Sequence, residues 1–269
     1  MADERLTPRQ WASERLERLE DRLEDLSVSR IIPSALTLLG LCSGLTSIRF
    51  ALIEDWRRAV AAIFCAMLFD MLDGRAARWL GADSRFGVQL DSLADLVSFG
   101  VAPAVLVFTW NLSQMDTAGW IAALIFCACS ALRLARFNIQ AARDEGASQS
   151  HPYFTGLPTP AAACVMLLPL LLSFEFSSDL FRTPALSLVL IGATSVLMVS
   201  RVPTPSLKYV KLDHNAKIAI YVLAAAFIPA IIYVPWATLI FGLAIYLAAV
   251  PFGIHAAVQE AREQAEAEA

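Results

Sequence analysis

Residues 70–95 read DMLDGRAARWLGADSRFGVQLDSLAD, and they lie between AAIFCAMLF (61–69) and LVSFGVAPAVLVF (96–108). Five aspartates and three arginines thus interrupt two stretches suited to hydrocarbon. Asp70 and Asp73 are three apart and share one face of a helix. Gly87, Asp91 and Asp95 recur every fourth residue and form a stripe on the next helix. RWLGADSRF between them is long enough for a tight turn. The spacing therefore predicts two antiparallel helices that bring four carboxylates together at one edge of a membrane, with Asp83 solvated in the turn.

The rest of the chain fits that setting. Of 269 residues, 57% are hydrophobic and 17% charged, which excludes an ordinary soluble domain. Apolar runs long enough to cross about 30 Å of hydrocarbon occur near 32–53, 57–79, 90–111, 118–137, 159–175, 183–200, 216–233 and 235–254. The fifth and sixth are short and only VPW around Pro235 splits the last pair, so the expected fold is an all-α membrane bundle of about eight spans, within a range of six to eight. The first thirty residues are charged and lack the apolar core of a cleavable signal.

Lys and Arg orient the bundle. With the N-terminus inside, 17 of the 21 basic residues fall in inner segments, and only Arg49, Arg57, Arg58 and Arg182 lie toward the outside. This predicts a multi-pass protein of a bacterial cytoplasmic membrane, with the acidic stretch and both termini facing the cytoplasm. Leu16, Leu19, Leu23 and Leu26 form an apolar stripe on an otherwise charged segment, as in a helix lying on the membrane or against another subunit. The expected organisation is a cytoplasmic amphipathic helix (1–30), a membrane domain (31–255) and a charged tail (256–269). The net charge of −4 resides mainly in the tails, and no nucleic-acid partner is expected. The five cysteines all fall in apolar segments and show neither a disulfide nor a zinc pattern.

Carboxylates this close repel: unit charges ~5 Å apart at an effective dielectric of ~20 cost about 3 kcal/mol per pair. Hard divalent cations remove that cost, and an all-oxygen donor set suits Mg²⁺ or Mn²⁺ rather than zinc. His151, His214 and His255 lie elsewhere in the chain. Two cations shared by four aspartates favour phosphoryl transfer. Gly74 and Ala77 clear space beside Asp73, Gly87 does the same on the facing helix, and Arg78 can reach a phosphate.

Asp70-x2-Asp73-Gly74-x2-Ala77-Arg78-x8-Gly87-x3-Asp91-x3-Asp95 resembles, at every defined position, the signature of the CDP-alcohol phosphatidyltransferases, membrane enzymes that displace CMP from a CDP-linked lipid or alcohol. The resemblance implies metal ligands at Asp70, Asp73, Asp91 and Asp95, and proton abstraction from the incoming hydroxyl by Asp95. It also implies CDP contacts from Gly74, Ala77, Arg78 and Gly87, joined by Pro33 and Thr37 at the start of the first span. Ser34 departs from the pattern, since members often carry Asn there, and a hydroxyl offers less than an amide.

Four further stretches, LDSLADLVSFGVAPA (90–104), LRLARFNIQ (132–140), FTGLPTPAAA (154–163) and LMVSRVPTPSLK (197–208), resemble the serine-accepting bacterial branch of that family. This implies CDP-diacylglycerol and L-serine as substrates and a homodimer as the assembly. Arg133 and Arg136, with Asn138 beyond them, are the candidates for binding serine; for the two arginines, snorkelling to the interface is the other reading. Gly156, Pro158 and Pro160 read first as a helix start. The rivals are phosphatidylglycerophosphate synthase, which shares the core motif, and a divalent-cation transporter, which would need polar residues along several spans.

Overall fold

A computed structural model describes residues 28–82, 84–144, 154–176, 178–200, 203–204, 227 and 229–248. The amphipathic stripe of residues 16–26, both tails and most of the 216–233 candidate span lie outside the described residues. Helix α1 (Val28–Leu52) runs antiparallel to α2 (Trp56–Leu80), and the two pack along their length. One continuous rod follows, made of α3 (Arg85–Asp95), a π-helical turn (Leu96–Val101) and α4 (Ala102–Trp110). Then come α5 (Asp116–Asp144), α6 (Thr159–Phe176) and α7 (Pro184–Val199). A last apolar helix, α8, spans Pro235–Ala248.

The turns show why the helices stop where they do. Asp55 caps α2 by accepting the Arg58 N–H at 3.2 Å. Gly81 ends α2 in the left-handed conformation, φ 57°, which glycine adopts without the clash a Cβ brings. Ser84 then opens α3, its Oγ accepting the Gly87 N–H at 3.0 Å. Only residues 81–84 join the two acidic helices, so the tight turn expected from the sequence is present.

The core lies between α4, α5 and α6. Phe99, Leu106, Phe126, Met166, Leu170 and Ile191 are fully or almost fully buried there. The outer faces are apolar too: Leu38, Leu39 and Leu45 on α1, and Trp120, Ile121, Leu124 and Ile125 on α5, are close to half exposed. A soluble domain rarely shows such faces; lipid satisfies them.

Among the described residues, four helices are long and apolar enough to cross a membrane: Ile31–Leu52, Arg85–Trp110, Leu112–Gln140 and Thr159–Phe176. The expected count of about eight is thus only partly met. Helix α2 has 25 residues, but its inner end carries the aspartates and arginines of the motif. Helix α7 has 16 residues, about 24 Å at 1.5 Å per residue, short of the full hydrocarbon thickness; α8 is short as well. The third span begins at Arg85 rather than near residue 90, because Ser84 provides the cap.

At the end of the bundle that carries the aspartates, Phe154 pairs with Thr204 and Thr155 with Pro203 in a two-residue antiparallel ladder. Gly156 follows at φ 83°, and a Cβ there would lie 2.8 Å from the Met198 carbonyl oxygen. The Leu157 N–H donates to the Leu197 carbonyl at 3.3 Å. FTGLP is therefore moulded onto the end of α7.

Candidate active site

The turn at residues 81–84 sets the acidic faces of α2 and α3 against each other. Carboxylate oxygens of Asp70, Asp91 and Asp95 all lie within 4.8 Å of one another. Asp73, 5% exposed, borders the same cavity. Gly40, Ala66 and Ala94 form its other walls, with Ser98 and Phe99 on the side toward the membrane interior. Small residues on three helices leave the carboxylates as the only bulky polar groups.

Asp73 is held from the first span. The Thr37 hydroxyl lies 2.6 Å from Asp73 Oδ2 and 3.1 Å from the Pro33 carbonyl. It has one hydrogen, and the shorter, charged acceptor is the stronger partner. Thr37 therefore acts on a carboxylate, a contact that the sequence reading did not foresee. Thr37→Val, which keeps the shape and removes the donor, is expected to weaken Mn²⁺ binding about tenfold, with Thr37→Ser near wild type. Equilibrium Mn²⁺ titration of the three proteins checks this, and equal affinities would show that Asp73 is oriented without Thr37.

The donor set fits a hard divalent cation. Three carboxylates converge within bonding reach of a shared ion, a fourth stands beside them, and no histidine or thiol joins them among the described residues. The space beside Gly74 is open: a Cβ there would meet nothing within 4 Å. Arg78, on the next turn, is exposed. Gly87 has a second task, because its N–H is the one that Ser84 caps, and a Cβ there would lie 3.2 Å from Ser84 Oγ. Ala77 supplies the carbonyl that receives the Gly81 and Ala82 N–H groups as α2 ends. Pro33 is buried in α1, one turn before Thr37.

The three residues expected at the acceptor do different things. Arg133 Nη1 donates to Thr159 Oγ1 at 2.7 Å, while its Nε is buried and has no hydrogen-bond partner among the described residues. The guanidinium is near enough to Asp95 for their charges to interact, and the neutral phenol of Tyr246 on α8 lies close by. A buried donor left unmatched beside an acidic site is costly unless a ligand completes it. Arg136 instead donates to the Val199 carbonyl at 2.9 Å and holds the end of α7. Asn138 Oδ1 accepts from Ser92 Oγ at 3.0 Å, tying α5 to α3 between Asp91 and Asp95. Thr159 and Ser92 carry no motif signal of their own; only packing reveals them.

Comparison with known proteins agrees with this geometry. A family model described as CDP-alcohol phosphatidyltransferase matches residues 30–200. A protein of Mycobacterium leprae named CDP-diacylglycerol–serine O-phosphatidyltransferase is 39% identical over 84% of this chain and 75% of its own length. Relatives of the same name are 36% identical in Bacillus subtilis, over 66% of this chain and 91% of theirs, and 36% identical in Methanocaldococcus jannaschii, over 78% and 88%.

Proposed function

Because the chain belongs to the CDP-alcohol phosphatidyltransferase family, we propose that it transfers the phosphatidyl group of CDP-diacylglycerol to the hydroxyl of L-serine, giving phosphatidylserine and CMP. The observation that carries the acceptor is the similarity, over most of the chain, to relatives named for serine.

Two divalent cations, Mg²⁺ or Mn²⁺, held by Asp70, Asp73, Asp91 and Asp95, would neutralise the diphosphate and the charge left on departing CMP. Gly74, Ala77 and Gly87 leave room for the CDP moiety against the two helices, Pro33 and Thr37 border it from α1, and Arg78 is free to meet a phosphate. Arg133 offers its unmatched Nε to the serine carboxylate while Thr159 fixes the other side of the guanidinium. Arg136 and Asn138 frame this pocket by bracing α7 and α3.

Asp95 then takes the proton from the serine hydroxyl. The oxygen so freed bonds to the β-phosphorus as that atom's bond to the bridging oxygen breaks, and CMP leaves with the electron pair. Among the described residues, the serine at the cavity, Ser98, gives its hydroxyl to the Gly40 carbonyl, which favours direct attack over a covalent intermediate. The diacylglycerol half stays in the bilayer throughout. The asymmetry of basic residues supports a bacterial cytoplasmic membrane with the acidic edge inward and both termini cytoplasmic. A homodimer completes the reading.

The test is CMP release by the purified chain with Mn²⁺ or Mg²⁺, offered L-serine, glycerol-3-phosphate or myo-inositol-phosphate in parallel. Serine alone should drive release. Arg133→Met should raise the KM for serine by at least about tenfold, the cost of losing one charge-assisted bond, and leave the KM for CDP-diacylglycerol near wild type. Release driven by glycerol-3-phosphate would replace the serine assignment with phosphatidylglycerophosphate synthesis.

A further inference from the structure

The rod from Arg85 to Trp110 changes its winding directly after Asp95. Through Leu96–Val101 it is π-helical, and the Ala102 N–H bonds back to the Val97 carbonyl, five residues earlier rather than four. Pro103 gives a local cause: in a regular α-helix it would offer no N–H to the Phe99 carbonyl, and its ring would press on that oxygen. A wide turn accommodates one residue more than an α-helical turn does.

That extra residue alters which way the aspartates point. Each α-helical residue turns the chain by about 100°. Without the wide turn, α3 would be rotated by roughly that angle relative to the buried face of α4. Asp91 and Asp95 would then leave the side that faces Asp70.

The turn is also seated with little clearance. Ser98 is 2% exposed, and its Oγ donates to the Gly40 carbonyl of α1 at 3.3 Å. Beneath it, a Cβ on Gly44 would lie 2.5 Å from Ser98 Oγ, 2.7 Å from its Cα and 2.8 Å from its Cβ. On the opposite side a Cβ on Gly100 would come within 3.1 Å of Ser130 Cβ on α5. The turn is thus gripped between α1 and α5 at the level just inside the carboxylates.

We propose that this π-turn, seated on α1 through Ser98 and Gly44, sets the rotational phase of Asp91 and Asp95 against Asp70, so that Ser98 and Gly44 are positioning residues for the transfer reaction. The inference rests on the reading of the acidic cluster as a cation site. Gly44 does not line the acidic cavity, and Ser98, which does, turns its hydroxyl to the Gly40 carbonyl; both act through the direction of two carboxylates.

The experiment titrates Mn²⁺ into the detergent-purified full chain by isothermal calorimetry, with thermal unfolding and CMP release measured on the same samples. Gly44→Ala is compared with wild type and with Gly192→Ala, whose added methyl meets nothing within 4 Å. Gly192→Ala should match wild type. Gly44→Ala should bind Mn²⁺ about ten- to a hundredfold more weakly and turn over at least about a hundredfold more slowly, with a metal-free unfolding midpoint lowered by the overpacking. Should Gly44→Ala not fold, Ser98→Ala decides, with a severalfold loss of Mn²⁺ affinity in a protein of unchanged stability. Affinities within about twofold of wild type in the folded variants would overturn the positioning role. Absence of Mn²⁺ binding by wild type itself would instead overturn the cation-site reading, and the positioning role would fall with it.

Discussion

Replacement of Asp95 by Asn is expected to lower CMP release by about 10³- to 10⁴-fold, the usual span of an acid–base contribution, in a protein that still folds and still binds CDP-diacylglycerol. Asn has the same shape and accepts hydrogen bonds, but it cannot take a proton from the serine hydroxyl. Asp95 is the last residue of α3, its oxygens lie within 4.8 Å of those of Asp70 and Asp91, and Arg133 stands near it. It is the carboxylate of the cluster placed toward the expected acceptor. Loss of one carboxylate also weakens metal binding, so turnover should be measured at several Mn²⁺ concentrations. If saturating Mn²⁺ restores more than about a tenth of wild-type turnover, the proton goes elsewhere and Asp95 is only a ligand.

Asp91→Asn is expected to stabilise the metal-free protein and to lose much of that advantage once metal is bound. Ionised carboxylates 4.8 Å apart at most repel by at least about 3 kcal/mol per pair at an effective dielectric of 20. Stripped of metal, the Asn variant should therefore unfold at a higher temperature than wild type. With Mn²⁺ at a hundredfold excess over its dissociation constant, wild type gains about 2.7 kcal/mol from binding. The variant, with a weaker site, gains less, and the gap between the two midpoints narrows. Thermal unfolding in EDTA and then in Mn²⁺ measures both. A variant less stable than wild type under both conditions would show that Asp91 is held by contacts worth more than the repulsion it suffers.

Much of this was legible before any coordinates. The i, i+3 and i, i+4 spacings fixed which acids share a face, whereas Gly81 and Ser84, ordinary stop and start signals for helices, were passed over in favour of the apolar run that begins near residue 90. What escaped depends on neighbours distant in the chain. Nothing local to Thr37 announces that Asp73, 36 residues on, will accept its proton. Arg133 and Arg136 look alike in sequence, yet Thr159 receives one and the end of α7 receives the other. The π-turn escaped because a reading by period assumes a constant 100° step. Gly100 and Pro103 within SFGVAP were its available signal, and they were absorbed into an apolar run. The span count is met only in part among the described residues for a related reason: apolar composition marks a buried helix as readily as a lipid-facing one, and α7 and α8 are short enough to be either.

The four-residue connection between α2 and α3 also bears on how the protein is made. All four carboxylates belong to one stretch of consecutive sequence, from Asp70 to Asp95, whose two helices both pack against α1, so bringing them together sacrifices little chain entropy. Contacts this local form early and fast compared with those that must await distant segments. During synthesis this stretch can therefore assemble its acids when only the first three spans have left the ribosome. The later helices then close around a site already organised, adding the acceptor side through Arg133 and Thr159.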